Sequence, residues 1–405
     1  MNNNEKETLK QPIVIIGAGK TGRGFIARLV SLSKQPIVFI ERDEVLIERL
    51  NSQAKYQISF FGGQRNTLEI AGFNTYLSAS TSALNAMASA ALIIVSVGVS
   101  NFDKIAPDLA KAIQKRLSEK KSMRLPIITA ENAVDPAKKL TAAISSFKGS
   151  TNIKVFSEAF IVAESAIFCT TIEKEKNSLD IKSEDFDILP FDAKNIQKFL
   201  PKIYGFMGET EFNKVLKRKI YTYNCASACI SYLGHIKGYT SYYQAASDDL
   251  IEMYLKQLYL EVGEVLCKEY GYTKADQDAF AARSLYKFQD PEIEDSIERN
   301  ARDVIRKLQP DERLAGPELL MEKYAIISKA LPIVYAAALC YHHSGEDELE
   351  NLINSIGVEG IIKNISHIDP ASLFAGKVIM AYRNINNSLK IGNSSLNDVL
   401  KRGLE

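Results

Sequence analysis

The sequence predicts a doubly wound α/β domain followed by an all-helical domain. The chain has 405 residues, more than one ordinary core accommodates, so two domains are expected. In the first half, short apolar runs rich in β-branched residues alternate with amphipathic segments, which is the pattern of parallel βαβ units. After Pro201 the apolar residues recur at helical spacing instead. We therefore predict a disordered lead-in at 1–11, an α/β domain at 12–200 and a helical domain at 201–405.

The elements of the first domain follow from where apolar runs meet turn residues. Buried strands are predicted at 12–16, 37–40, 91–97, 125–129 and 154–156, with helices between them at 22–32, 45–51, 105–117 and 136–145. Two runs on either side of a glycine pair, 56–61 and 67–70, predict an antiparallel insertion, and 167–172 and 178–181 are predicted to be edge strands. In the second domain, helices are predicted at 221–232, 250–270, 275–285, 293–308, 319–341, 349–356 and 370–385.

The composition argues against several classes of protein. Lys and Arg number 50 against 49 Asp and Glu, a balance unlike that of a dedicated nucleic-acid or membrane-surface protein. Five cysteines without CxxC spacing predict neither a disulfide framework nor a zinc site. The opening segment lacks an apolar signal region, and the longest apolar stretch, 330–340, is about half as long as a membrane span. We expect a cytoplasmic protein with no nucleic-acid, membrane or metal partner.

A glycine-rich turn follows the first predicted strand and opens the first predicted helix. It reads Gly17-Ala18-Gly19-Lys20-Thr21-Gly22, a G-x-G-x-x-G run in the strand–turn–helix context that dinucleotide binding requires. Gly17 allows the tight turn, Gly19 lets a pyrophosphate approach the backbone, and Gly22 lets helix and strand pack closely. The phosphates would then meet the N-terminal amides of the helix. All six residues are predicted to contact a dinucleotide in a Rossmann-type domain.

The end of the second predicted strand indicates which dinucleotide binds. Glu41 lies there, 19 residues past Gly22, where a carboxylate can accept hydrogen bonds from the adenosine ribose hydroxyls and would repel a 2′-phosphate. We therefore predict NAD as the cofactor. Arg42 beside it leaves NADP open, since a guanidinium could hold the additional phosphate. Val97 and Gly98, at the end of a later strand, complete the predicted cofactor contacts.

The best candidate for a catalytic base is a lysine. An enzyme that oxidises an alcohol needs a base for the hydroxyl proton and donors that stabilise the developing alkoxide. The four histidines lie in no recognisable catalytic pattern: His235, His342, His343 and His367. Lys219 is the alternative, because burial or a neighbouring cation can lower the pKa of a lysine, and the amide of Asn224 follows five residues on. With Lys217 and Arg218 before it, the segment also reads as an ordinary basic helix start.

Four blocks of the sequence occur in the order and at the approximate spacing of a known family. They are Gly17-Ala18-Gly19-Lys20-Thr21-Gly22-Arg23-Gly24-Phe25-Ile26, Ala130-Glu131-Asn132, Arg218-Lys219-Ile220-Tyr221-Thr222-Tyr223-Asn224 with Tyr232-Leu233-Gly234, and Phe288-Gln289-Asp290-Pro291 with Arg299, Arg302 and Ile305-Arg306-Lys307-Leu308. These blocks resemble the polyol-specific long-chain dehydrogenases, the mannitol dehydrogenase family. The similarity is greatest to members that act on mannitol 1-phosphate. It implies an N-terminal Rossmann domain, a helical domain like the C-terminal domain of 6-phosphogluconate dehydrogenase, and substrate bound between them.

The resemblance also implies a reaction and the residues that carry it. Lys219 would be the general base, and Asn132 and Asn224 would donate amide hydrogens to the reacting oxygen, an arrangement that needs no metal. The implied activity is an NAD-dependent interconversion of a sugar alcohol, phosphorylated or acidic, and its ketose. The implied oligomeric state is a monomer or weak dimer.

The sequence departs from the family pattern where the substrate is oriented. The family's histidine three residues after the second asparagine is Ser227, and its Asp-Arg pair falls on Val162-Ala163. Ser328 stands at the position where members with phosphorylated substrates typically have a histidine. A serine still hydrogen-bonds a hydroxyl but carries no charge and reaches less far than imidazole. We therefore predict a rebuilt substrate site with weak activity on fructose 6-phosphate.

The candidates for binding an anionic substrate group are basic residues of the second domain. Arg302, Arg306 and Lys329 are the best of them, since guanidinium and ammonium groups match phosphate and carboxylate. A structural ion pair is a nearly equal interpretation of Arg306. Two alternative functions stay open: a hexuronate reductase with the same lysine and asparagines, and a diverged dinucleotide-binding protein with little turnover.

Overall fold

The structure, a computed structural model, describes residues 11–121, 124–149, 151–342, 348–391 and 395–404. The chain divides into two compact units, Met1–Val215 and Leu216–Glu405. The predicted lead-in at 1–11, apart from Gln11, and His343 lie outside the described residues. Within the described ranges, no helix is both long and apolar enough to cross a membrane.

Among the described residues, the first unit contains the strands and six complete α-helices. The strands are β1 Ile13–Ile16, β2 Ile37–Glu41, β3 Lys55–Phe60, β4 Leu68–Ala71, β5 Asn74–Leu77, β6 Leu92–Val95, β7 Leu125–Thr129, β8 Phe160–Glu164, β9 Thr171–Glu173, β10 Ile181–Ser183, β11 Leu189–Asp192 and β12 Phe206–Glu209. The helices are α1 Ala27–Leu32, which continues a π turn at Gly22–Ile26, α2 Glu44–Gln53, α3 Thr81–Ser89, α4 Phe102–Ser118, α5 Pro136–Ser146 and α6 Ile153–Glu158.

A six-stranded sheet forms the centre of this unit. Its order is β5-β2-β1-β6-β7-β8, and every pair is parallel. Strands β1 and β6 are buried along their whole length, and their alternate side chains belong to separate apolar clusters. The chain leaves β1 for β2 on one side and later returns to pair β6 on the other. The carboxyl ends of these strands therefore form the topological switch point where open α/β sheets bind ligands.

A second sheet corrects part of the strand prediction. Its order is β4-β3-β10-β9, and the β3–β4 pair is the predicted antiparallel insertion. The predicted edge strands end in β9 and β10, which join this sheet rather than the central one. The predicted strand 154–156 is wrong: these residues lie in α6, because the side chain of Asn152 caps the helix by accepting from the N–H groups of Lys154 and Val155. The strand that follows, β8, was missed.

The second unit is helical, as predicted. Its helices are α7 Phe212–Lys219, which begins before the unit boundary, α8 Cys225–Ile236, α9 Tyr242–Ala246, α10 Asp249–Tyr270, α11 Lys274–Phe288, α12 Ile297–Ala301, α13 Val304–Lys307, α14 Gly316–Lys323, α15 Ala330–Leu339, α16 Glu348–Asn364, α17 Leu373–Lys390 and α18 Leu396–Leu404. The predicted long helices at 293–308 and 319–341 are each divided in two. Positive φ angles of 60° at Asp303 and 53° at Ala325 interrupt them. The nearly all-buried α8 and α15 pack in the apolar core.

Candidate active site

The glycine-rich turn joins β1 to the π turn and is closed by backbone contacts. Gly17 has a φ of 97°, and a Cβ there would lie 2.2 Å from the carbonyl oxygen of Ser96. A Cβ on Gly22 would lie 2.1 Å from the carbonyl oxygen of Gly17. A Cβ on Gly19, by contrast, would meet no atom within 4 Å. The fold thus requires the first and last glycines, whereas the middle glycine faces open space that a phosphate group can enter.

Glu41 ends β2 and holds this turn through its carboxylate. Its Oε2 accepts from the backbone N–H of Ala18 at 2.8 Å, and its Oε1 accepts from the N–H groups of Arg42 and Asp43 at 2.7 and 3.2 Å. A carboxylate has about four lone-pair sites, so about one of them, on Oε2, remains for a ribose hydroxyl. The exposed guanidinium of Arg42 donates to Oδ1 of Asn101 at 3.2 Å. Both predicted determinants of cofactor choice therefore lie beside the turn.

A pocket of about 530 Å³ opens at the carboxyl ends of β6 and β7. Its lining includes Gly19, Lys20, Thr21, Gly98, Glu131 and Asn132. Oε1 of Glu131 accepts from the backbone N–H groups of Val97 and Gly98, both at 2.8 Å. Burial raises the pKa of Glu131 above its ordinary value. The pocket thus unites the predicted phosphate-binding residues with Asn132, which lies exposed on the loop after β7.

These features together fit a dinucleotide. The turn presents the N-terminal amides of a helix to open space at Gly19, and a carboxylate for a ribose lies at the end of the neighbouring strand. The pocket leads from the same turn towards Asn132. Within the described part of the chain, no three His, Cys, Asp or Glu side chains are grouped as a metal site requires.

In the second unit, one continuous helical segment carries the predicted lysine and its amide partner. Helix α7 passes into a π turn at Ile220–Asn224 and then into α8, with the N–H of Cys225 donating to the carbonyl oxygen of Ile220. In an α-helix, neighbours on one face are three or four residues apart, so Lys219 and Asn224 would face different directions. The π turn accommodates one more residue, which brings side chains five apart towards one face.

The burial pattern supports this shared face. Lys219, Ile220, Asn224 and Ser227 are partly exposed, whereas the other residues between Lys219 and Ser227 are buried: Tyr221, Thr222, Tyr223, Cys225 and Ala226. Ser227 follows Asn224 by three residues, the ordinary spacing for neighbours on α8. The predicted base, the amide and the serine that replaces the family's histidine therefore line one side of the segment.

The electrostatic surroundings of Lys219 lower its pKa. Burial of its ammonium group, and after it the positive charges of Lys287 and Arg313, together lower the pKa from its ordinary value to about 7. Arg313 donates from Nε to Oε2 of Glu312 at 3.1 Å. A lysine with a pKa near neutrality can both accept and return a proton under physiological conditions.

The two basic residues before Lys219 have other partners. Nζ of Lys217 contacts Oδ1 of Asp311 at 2.6 Å. Nε of Arg218 donates to Oε1 of Gln277 at 2.8 Å, and the guanidinium lies 4.2 Å from the ring centroid of Tyr272. The three consecutive basic side chains therefore have different environments, and Lys219 is the one whose pKa is lowered by burial and by like charges.

The predicted anion-binding arginines are engaged in ion pairs. Arg302 donates to Oε1 of Glu298 at 2.6 Å, and Arg306 donates to Oε1 of Glu312 at 2.7 Å. Both arginine side chains are about half exposed. In this structure Arg306 therefore forms the ion pair that was the alternative interpretation of its role. The exposed Lys329 precedes α15, and its backbone N–H donates to Oε1 of Glu261 at 2.8 Å.

The two serines at family histidine positions have different surroundings. Ser227 lies beside the buried phenol of Tyr242, whose pKa burial raises well above its ordinary value. Ser328 is itself buried, and its hydroxyl donates to Oε2 of Glu318 at 2.7 Å. Burial raises the pKa of Glu318 to about 7. The hydroxyl of Ser328 is therefore hydrogen-bonded to a buried carboxyl group inside the protein. Ser227 lies instead on the partly exposed face of the helical segment.

The aligned position of the family's Asp-Arg pair lies inside a strand. Val162 and Ala163 pair with Ile127 and Ile128 in the central sheet. The carboxyl end of β8 is instead Glu164, whose pKa is raised by burial and by the negative charges of Asp135 and Asp192. Val162 and Ala163 thus lie within β8, a strand that was not predicted from the sequence.

Two contributions to these sites are not predicted by the sequence pattern. The first is the pair of backbone hydrogen bonds that Glu131 accepts. The second is the effect of Arg313 and Lys287 on the pKa of Lys219. Neither cation stands at a helical spacing from Lys219, so only the tertiary fold brings their charges to it.

Both halves of the chain match one family. Residues 11–205 match the description "Mannitol dehydrogenase Rossmann domain", and residues 212–368 match "Mannitol dehydrogenase C-terminal domain". The chain belongs to the mannitol dehydrogenase family. This membership confirms the predicted resemblance, the two-part fold and the predicted class of enzyme, an oxidoreductase acting on CH–OH groups.

Solved structures with the same fold include two polyol dehydrogenases. A D-sorbitol dehydrogenase in substrate-free form aligns with a TM-score of 0.77 at 13% identity, covering 98% of this chain and 95% of that one. The Pseudomonas fluorescens mannitol 2-dehydrogenase, in a ternary complex with NAD and D-mannitol, aligns with a TM-score of 0.69 at 14% identity, covering 98% and 94%. At these identities the likeness establishes the fold that this mannitol dehydrogenase family member shares with them.

Proposed function

We propose that this chain is an NAD(H)-dependent dehydrogenase that interconverts a sugar alcohol and its ketose, with Lys219 as the general base. The observation that carries the proposal is the pKa of Lys219, lowered to about 7 on a helix face shared with Asn224. A proton-transfer catalyst works best when its pKa lies near the operating pH. Membership of the mannitol dehydrogenase family supports the reaction class.

The cofactor would be held by the turn and by the strand ends beside it. The amides that follow Gly19 would receive the pyrophosphate, and Glu41 would accept from the adenosine ribose hydroxyls. Val97 and Gly98 would border the other half of the dinucleotide. The negative charge of Glu41 favours NAD over NADP because a 2′-phosphate would lie against it.

The chemistry divides between one proton-transfer group and two neutral amides. During oxidation the amine of Lys219 takes the proton of the substrate hydroxyl, while Asn132 and Asn224 donate to the oxygen as its negative charge grows. When bound, NAD supplies the acceptor for the hydrogen and electron pair that leave the carbon. During reduction the ammonium of Lys219 returns the proton to the oxygen.

An anionic substrate suits the charge around Lys219. Lys287 and Arg313 both act on Lys219, so a phosphate or carboxylate near them would be attracted. We propose a phosphorylated polyol, as for the family members that act on mannitol 1-phosphate, with Arg302, Arg306 and Lys329 as further candidates for the anion. A hexuronate is the second candidate, because the same cations would bind a carboxylate.

A steady-state assay with NADH tests this function. The panel comprises several ketose phosphates including fructose 6-phosphate, ketohexoses such as fructose, and keto-hexuronates, with NADPH as the alternative reductant. We expect turnover of one anionic member and faster reaction with NADH than with NADPH. Binding of NADH without turnover of any member would favour the diverged dinucleotide-binding protein instead.

Calorimetric titration with the two reduced cofactors tests the choice between them. Tighter binding of NADH supports the role of Glu41. Equal or tighter binding of NADPH would contradict it and would identify Arg42 as the ligand of the 2′-phosphate. Sedimentation of the same preparation checks the expected monomer or weak dimer.

A further inference from the structure

The pocket lies on the side of the glycine-rich turn opposite to Glu41. Glu41 ends β2, which pairs with one edge of β1, whereas the pocket is lined by residues that follow β6 and β7 on the other edge. A dinucleotide binds across this switch point with its two nucleosides on opposite sides. If the adenosine ribose meets Glu41, the nicotinamide half enters the pocket.

Glu131 is the acidic residue among the described residues that line this pocket. Its two hydrogen bonds from Val97 and Gly98 both end on Oε1. These bonds fix the carboxylate against the loop after β6 and leave the lone pairs of Oε2 for a donor in the pocket. The side chain is therefore held in place before any ligand arrives, which is the condition for an orienting contact.

Asn132, the residue after Glu131, indicates which part of the nicotinamide half would lie closest to the Glu131 carboxylate. Asn132 is proposed to contact the reacting oxygen, which lies next to ring carbon C4. The carboxamide is attached to C3, beside C4, whereas the ribose is attached to N1 on the far side of the ring. We propose that Oε2 of Glu131 accepts a hydrogen bond from the carboxamide N–H of the nicotinamide and thereby sets which face of the ring meets the substrate. This inference rests on the proposed NAD-dependent function.

The test is a binding experiment on the full chain with two cofactors. The substitution Glu131→Gln keeps an oxygen that can accept from Val97 and Gly98, but it places an amino group where Oε2 would face the carboxamide. The reduced 3-acetylpyridine analogue of NADH lacks the carboxamide N–H groups and is otherwise similar in size. Dissociation constants for NADH and for this analogue are measured by calorimetry. Glu164→Gln is the matched control, a part-buried acid at the end of β8.

We expect the wild-type chain to bind NADH about tenfold or more tightly than the analogue, since a hydrogen bond to a charged acceptor is worth roughly that ratio. In Glu131→Gln this preference falls to near one, through weaker binding of NADH, while Glu164→Gln retains it. An unchanged preference, or equal weakening of both cofactors, would leave Glu131 only its contacts with the loop and overturn the inference. Absence of NADH binding to the wild-type chain would instead contradict the proposed function.

Discussion

The two helical segments that carry the proposed chemistry both contain a π turn, but they make opposite use of it. In the first unit the π turn at Gly22–Ile26 is wholly buried, and the groups available to a ligand are backbone amides before it. In the second unit the π turn at Ile220–Asn224 brings the side chain of Asn224 onto the same partly exposed face as that of Lys219, which precedes the turn. The first site is therefore built from the main chain, and the second from side chains.

Charge follows the same division. Carboxylates hold the main-chain site, with Glu41 accepting from Ala18 and Glu131 accepting from Val97 and Gly98. At the side-chain site, burial and the positive charges of Lys287 and Arg313 lower the pKa of Lys219. Ligand binding at the main-chain site should consequently be sensitive to substitutions that add side-chain atoms. Catalysis at the side-chain site should be sensitive to substitutions that change charge.

Replacing the proposed base should have the largest effect on activity. Lys219→Met removes the group that exchanges the substrate proton, so turnover should fall by about 10²–10⁴-fold. Affinity for NADH should change little, because the cofactor contacts lie in the other unit. Rapid-mixing or steady-state kinetics with calorimetry separate the two quantities.

The matched control is Lys214→Met, on the same helix with an ion pair to Glu211. It should retain activity close to that of the wild-type chain. A Lys219→Met variant that keeps a substantial fraction of turnover would remove Lys219 from the mechanism.

Two alanine substitutions in one turn should break the main-chain site in different ways. Gly22→Ala places a Cβ 2.1 Å from the carbonyl oxygen of Gly17, so the turn must deform, at a cost of about 1–3 kcal/mol in the free energy of unfolding. Gly19→Ala meets no atom within 4 Å, so stability should stay constant while NADH affinity falls by about tenfold or more. Thermal unfolding and calorimetric titration of both variants provide the comparison. Normal NADH affinity in Gly19→Ala would show that the phosphates lie elsewhere.

The departure at Ser227 should appear as a smaller, substrate-dependent effect. We expect the native chain to reduce fructose 6-phosphate weakly, because a hydrogen bond lost from a buried polar group costs about 1–3 kcal/mol, or one to two decades in rate. Ser227→His should raise this activity, measured as kcat/KM, and Ser227→Ala should not. Native turnover of fructose 6-phosphate at roughly tens per second would show that the departures are neutral.

The smallest expected effect is a shift in pH dependence. Because the free amine of Lys219 is the base, kcat/KM for oxidation should rise with pH and level off above about 7. The positive charge of Arg313 disfavours the ammonium form, so Arg313→Gln should raise the pKa and move this rise to higher pH, by less than about one unit. Lys268→Gln, an exposed cation paired with Glu264, is the control and should leave the profile unchanged. A profile that stays in place in Arg313→Gln would show that Arg313 does not contribute to the lowered pKa of Lys219.

Local spacing explains what could be predicted from the sequence. The glycine-rich turn, Glu41 and the parallel sheet depend on contacts between an apolar strand, the turn after it and the next strand, so residue type and position carry most of the information. The strand at 154–156 and the missed β8 show the limit, because a single capping asparagine changed which of two short apolar runs formed the strand.

The residue pattern was sufficient to predict the fold class and the dinucleotide turn, whereas the roles of Lys219, Asn132 and Asn224 were predicted from the resemblance to a family. Three properties of the sites follow from tertiary contacts instead: the lowered pKa of Lys219, the hydrogen bonds of Glu131 to the loop after β6, and the ion pairs of Arg302 and Arg306. The physical reason is distance along the chain. A turn or a helix is specified by residues a few positions apart, whereas desolvation and Coulomb interactions depend on every group that folding brings near, whatever its place in the sequence.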